Sequence, residues 1–165
     1  MKHTKHFLLL LVFMATATRA FAQAVGSGFT VNEIVYTITN NDLVHHTDNR
    51  VAVSYIGGSG AVTVPSTVKH PQSDETYKVT ESVGWTDCSK TITSLTFSEG
   101  YEKMGNGCYR FANGLTKVTL PKSFKQIGHS CFENCPAFTR YEVKSGNSNF
   151  AYNPKGWLLS KDGKT

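Results

Sequence analysis

Long apolar runs are scarce in this 165-residue chain. Residues 7–17 form the one clear example, too short to cross a bilayer comfortably, so no membrane span is expected in the remainder. Dense charge of one sign is missing as well. Seventeen Lys and Arg stand against twelve Asp and Glu, and the basic residues are scattered without interleaved aromatics. That distribution argues against a nucleic-acid partner. Catalytic and cofactor signatures are equally thin. Gly57-Gly58-Ser59-Gly60 lacks the lysine and following helix of a phosphate loop. His45 and His46 are adjacent, so their side chains diverge on any strand. His129-x-Cys131-x3-Cys135 lacks the paired spacing of a structural zinc site. Cys88 follows Asp87 but has no histidine nearby to serve as base, and Asp42, Asp48 and Asp74 sit in polar turns. No enzyme activity, metal or cofactor is expected.

The N-terminus has a different character. Lys2 and Lys5 precede the apolar run, and Ala20-Phe21-Ala22 supplies a small-x-small cleavage pattern before Gln23. This is the form of a secretory signal peptide over residues 1–22. No cysteine lies near the cleavage point to carry a thioether lipid. Removal would leave 143 of the 165 residues and lower the formal charge from +5 to +2, because Lys2, Lys5 and Arg19 depart. The expected location is secreted or cell-surface.

What the chain does have is a repeat of 23 residues. Ile92, Leu115 and Phe138 share one phase, Leu95, Val118 and Tyr141 another, and Phe97, Leu120 and Val143 a third. Tyr101 matches Phe124, and Met104 matches Ile127 and Phe150. Gly105 recurs as Gly128, where a tight reversal or a positive backbone angle would favour glycine. Apolar residues locked to such a period predict stacked coils that bury a core only together. Before the repeat, residues 29–39, 51–56, 61–64 and 76–80 read as short strands with glycine and proline punctuation. They predict an antiparallel β-rich N-terminal cap over residues 23–82, followed by a solenoid with a closing segment over residues 83–165.

Four cysteines, Cys88, Cys108, Cys131 and Cys135, allow three complete pairings in an oxidising compartment. Cys108 and Cys131 hold equivalent points on adjacent coils, within reach of a disulfide. The competing reading makes them small buried residues that fill each coil.

Several of these stretches resemble the BspA-like class of bacterial surface leucine-rich repeats. The family's lead-in, VTIPSTV…YxVT, is similar to AVTVPSTV at residues 61–68 and YKVT at 77–80. Its repeat, tsIGxxAFxxCxxLtsvtiP, resembles LTKVTLPKSFKQIGHSCFENCPAFTRYEV from Leu115 onward. Ile127-Gly128 matches the Ile-Gly, Cys131-Phe132 stands where Ala-Phe is usual, and Cys135 takes the cysteine position. Residues 147–150 and 157–163 are similar to the family's closing stretch. Residues 83–88 are about two short of the usual spacing, Tyr109 replaces Phe, and Ala112 stands where Cys135 stands one coil later. The resemblance implies a mainly β, leucine-rich-repeat solenoid from a host-associated, Bacteroides-like bacterium. It further implies adhesion or protein binding, without catalysis.

Strand alternation supplies the binding candidates. If Leu95, Val118 and Tyr141 point inward, Ser94 and Thr96, Lys117 and Thr119, and Arg140 and Glu142 point outward from neighbouring strands. Lys117 and Arg140 then form a column able to meet a carboxylate or sulfate. The expected partner is an extracellular or host protein. Self-association through an exposed end near Trp157 is one alternative. A glycan is the other, and it calls for a surface aromatic cluster near Tyr101, Tyr109 or Trp157.

Overall fold

The computed structural model describes residues 24–42 and 44–162. The expected signal segment lies outside them. Thirteen strands and no helix are found in the described residues. At the N-terminal end, β1 (Gly28–Val31), β2 (Ile34–Asn40) and β3 (Arg50–Ile56) pair antiparallel in sequence order. Alternation drives this unit: Ile34, Tyr36 and Ile38 of β2 are buried, and the residues between them are not.

From β3 onward the chain winds. It passes through β4 (Gly60–Val64), the short β5 (Thr67–Lys69), the long β6 (Thr76–Cys88), β7 (Ile92–Phe97), β8 (Lys103–Met104), β9 (Lys117–Leu120), β10 (Gln126–Ile127) and β11 (Arg140–Val143). β3, β6, β8 and β10 pair parallel in one sheet, and β4, β7, β9 and β11 pair parallel in a second. Each coil therefore gives one strand to each sheet, and the core fills the space between. A hairpin of β12 (Phe150–Tyr152) and β13 (Leu158–Ser160) follows the last coil.

The register carries the 23-residue period directly. Ser94 pairs with Lys117 and Lys117 with Arg140; Leu95, Val118 and Tyr141 form the next row, and Thr96, Thr119 and Glu142 the one after. Val62 joins the Leu95 row and Val64 the Phe97 row through β4. The antiparallel pairing expected for residues 61–64 is thus corrected: β4 runs parallel to β7. Among the described residues, antiparallel pairing is confined to β1 on β2, β2 on β3, β5 on β6, and the last hairpin. The reason is the crossover through β5 and β6, which returns the chain to the far sheet before it can turn back beside β4. Along the other sheet, Ser82 pairs with Met104, an offset of 22, so the first coil is one residue short of the period rather than about two, the missing residue falling between Ser82 and Ser94.

Inside, Ile92, Leu95, Phe97, Leu115, Val118 and Leu120 are completely buried. Aromatic rings stack within and between coils: Phe97 on Tyr101 at 4.3 Å in one coil, and across successive coils Tyr101 parallel to Phe124 at 6.1 Å and Tyr109 on Phe132 at 5.6 Å. The buried hydroxyls of Tyr101 and Tyr109 both meet the Ser82 hydroxyl, so neither phenol is left unpaired. Coils also touch through backbone. A Cβ on Gly105 would lie 2.5 Å from the Gly84 nitrogen, and one on Gly128 would lie 2.6 Å from the Asn106 nitrogen. Neither Gly105 nor Gly128 has positive φ. Close approach of successive coils, not a left-handed turn, is what requires glycine there.

Candidate functional site

The six outward residues of the sheet face lie as the alternation requires, in two columns. Ser94, Lys117 and Arg140 form one; Thr96, Thr119 and Glu142 form the other. β7 and β9 are interior strands, so their backbones are fixed on both sides. Glu142 organises the face. Its carboxylate pairs with Lys117 at 3.2 Å and with Arg140 at 3.2 Å, and accepts the Thr119 hydroxyl at 3.3 Å. Burial raises the Glu142 carboxyl, but hydrogen bonds and charge from Lys117 and Arg140 outweigh it and hold it below its ordinary value. Lys117 and Arg140 do form the expected column, with an anion from the same face already between them. Beside this face, the Thr116 hydroxyl donates to the Thr93 carbonyl at 2.8 Å and Thr139 to Thr116 at 2.9 Å, which locks successive coils in register.

All four cysteines are free thiols. The Cys108 thiol lies within hydrogen-bond reach of the Val83 and Gly105 carbonyls, which compete for its one proton; Cys131 donates to the Gly105 carbonyl, and Cys135 to the Tyr109 carbonyl. In the preceding coil Thr86 plays the same role, reaching the carbonyls of Val53 and Val83. This is a column of small donors, Thr86, Cys108 and Cys131, each serving carbonyls of its own turn or the coil before. The two thiols also act on each other: the neighbouring Cys108 thiol holds Cys131 below its ordinary value against the opposing effect of burial, and Cys131 together with burial raises Cys108.

The other candidates separate. His45 approaches Asp42 at 3.5 Å, and His46 turns to Glu75 at 2.9 Å. Among the described residues, no group of three or more His, Cys, Asp or Glu is placed to hold a metal ion. Tyr101, read from the repeat as an inward position matching Phe124, is completely buried, and so is Tyr109; the coil turns fold both rings inward between layers, so neither supplies the surface aromatic cluster that a glycan would call for. Among the described residues, the exposed aromatics are Tyr55, Trp85, Phe111, Tyr152 and Trp157. Trp85 escaped sequence reasoning because it falls in the coil whose spacing departs from the period.

Residues 74–153 match the BspA type Leucine rich repeat region, in 6 copies. No curated protein matches the sequence. Among solved structures, the chain is similar to the pneumococcal vaccine antigen PcpA, with 18% identity over 84% of this chain and 55% of that one, at a TM-score of 0.30. A leucine-rich repeat protein from Bacteroides capillosus ATCC 29799 shares 12% identity over 72% of this chain and 99% of its own, at a TM-score of 0.42. Another, from Bacteroides ovatus ATCC 8483, shares 17% over 70% of this chain and 37% of its own, at 0.35. The chain thus spans about half the length of PcpA. Residues 74–153 therefore form a region similar to the BspA-type leucine-rich repeats, with 6 repeat copies.

Proposed function

We propose that this chain is a protein-binding module of the adhesion type, acting outside the cytoplasm and without catalytic activity. The observation that carries the reading is the ladder of Ser94, Thr96, Lys117, Thr119, Arg140 and Glu142 in fixed register. Side chains already held on strands lose little freedom on binding, which lowers the cost of association. With Glu142 tied to both cations, the face offers hydrogen-bonding groups and a single residual positive charge rather than two free cations. A partner surface rich in carbonyl and carboxylate oxygens suits it. The signal-type leader at residues 1–22 and the repeat family support an extracytoplasmic site of action. In this reading residues 23–82, including the first coil of β3 and β4, cap the stack, and residues 83–165 carry the ladder and the closing segment.

The test is binding of residues 23–165 to an array of extracellular-matrix proteins, beside a Lys117→Glu plus Arg140→Glu form shown to be folded. A saturable hit that the charge-reversed form loses supports the sheet face as the recognition surface. A hit unchanged by the reversal, or no hit at all, rejects it. A second reading, self-association through the last coil, is favoured by one observation. Phe138, Tyr141 and Trp157 line a groove of about 390 Å³ at that end, and Trp157 is 68% exposed. Sedimentation equilibrium of the chain and of Trp157→Ser decides it, since a dimer weakened by the substitution is the expected result.

A further inference from the structure

The groove beside β3 and β6 is built differently from the sheet face. Tyr55 and Asp87 are register neighbours on these strands, and both are exposed. With Lys90, Arg110 and Phe111 they line a groove of about 570 Å³, within the size range of small-ligand sites. The Arg110 guanidinium lies 4.9 Å from the Phe111 ring centroid and 5.4 Å from that of Trp85. It is steadied by Glu133 at 3.0 Å. Trp85, although 63% exposed, is not loose. Its indole lies on Gly107, where a Cβ would fall 2.6 Å from the ring. Positive φ recurs at Trp85, Gly107 and Ser130 in successive coils, so that backbone conformation belongs to the repeat. The indole does not recur; the equivalent turns carry Gly107 and Ser130.

We propose that this groove, together with Trp85 that packs against its Arg110 wall, binds a pyranose oligosaccharide. The chemistry selects that class. Flat, pre-positioned aromatic faces match the C–H faces of a sugar ring at small entropic cost. The Asp87 carboxylate accepts only and the Lys90 ammonium donates only. Neither side chain makes a hydrogen bond or ion pair among the described residues, so both are available to hydroxyls, which do both. An extended peptide finds no strand edge here, because β3 lies between β2 and β6, and β6 between β3 and β8. A phosphate or sulfate would meet the Asp87 and Glu133 carboxylates beside the cations. The site is separate from the sheet-face ladder, so the matrix-protein array and the experiment below read different surfaces.

The chain is titrated with cellohexaose, chitohexaose and xylohexaose in a Trp157→Phe background, where Trp85 is the remaining tryptophan. A saturable fluorescence change with at least one sugar is expected. Calorimetry with Trp85→Ala, and separately with Asp87→Asn, should show affinity reduced about ten-fold or more. Should Trp85→Ala lose its far-ultraviolet dichroism, Asp87→Asn and Lys90→Ala decide alone. Absence of saturable binding to all three sugars, or affinity unchanged in the folded variants, overturns the proposal.

Discussion

A methyl group at Gly105 would press on the Gly84 backbone, with contacts of 2.5 and 2.8 Å to its nitrogen and Cα. Backbone cannot swing aside as a side-chain tip does, so Gly105→Ala should cost about 1–3 kcal/mol or more, measurable as a lower urea midpoint at unchanged slope. The cysteines make a second prediction at this scale. Cys131 is held below its ordinary value by the neighbouring Cys108 thiol, and it is only half-buried. Burial pushes Cys88 up to about 12. Iodoacetamide at pH 8 should therefore modify Cys131 first and leave Cys88 until the protein unfolds. Peptide-resolved mass spectrometry checks the order. Protection of Cys108 and Cys131 together, relieved by reductant, would instead mean that they are bridged. The sequence places these two thiols in register, but the carbonyls they serve come from turns whose geometry no spacing reveals.

At the scale of the element, coils differ in how well they are covered. Leu95 and Val118 are completely buried, whereas Tyr141 and Val143 on β11 are only partly so. β11 is also the outer strand of its sheet, with the Tyr141 amide donating to the Gly156 carbonyl at 2.8 Å in place of a further coil. Leu95→Ala should lower stability by about 2–5 kcal/mol. Truncation of Phe138 should cost less, because its ring is already partly in water. Amide exchange should follow the same gradient, with β9 amides outlasting those of β11. The inward rows of these strands were legible because a 23-residue period with alternate burial repeats three times. The sheet-face residues were legible for the same reason, as the complement of the rows. The parallel direction of β4 and the Trp85 groove were not. Strand direction depends on a crossover through β5 and β6, and the groove assembles residues 55, 87, 90 and 110–111, which no local pattern joins.

For the whole molecule, acid is the informative stress. Asp42 is held low chiefly by the His45 backbone amide, Asp48 chiefly by its hydrogen bond to Arg50. Burial opposes the same trend in Glu99 and Glu142, but hydrogen bonds to the Lys122 and Ser123 amides, and from Lys117 and Arg140, prevail. Carboxyls depressed on folding contribute stability that is complete above their unfolded values, near pH 4. That contribution is lost as pH falls through the lower folded values. Thermal melts should hold a plateau on the acid side down to about pH 4–5 and then drop, with Glu142→Gln showing a smaller drop. The donor column of Thr86, Cys108 and Cys131 bears on a different matter, that of length. Every carbonyl it serves belongs to its own turn or to the turn laid down before, so each coil completes its predecessor and asks nothing of its position in the series. A second copy of residues 105–127 inserted after Ile127 would find its amides, thiol and glycine already matched above and below. Growth by whole coils, like adding treads to a spiral stair, is therefore open to this chain without redesign of what is already there.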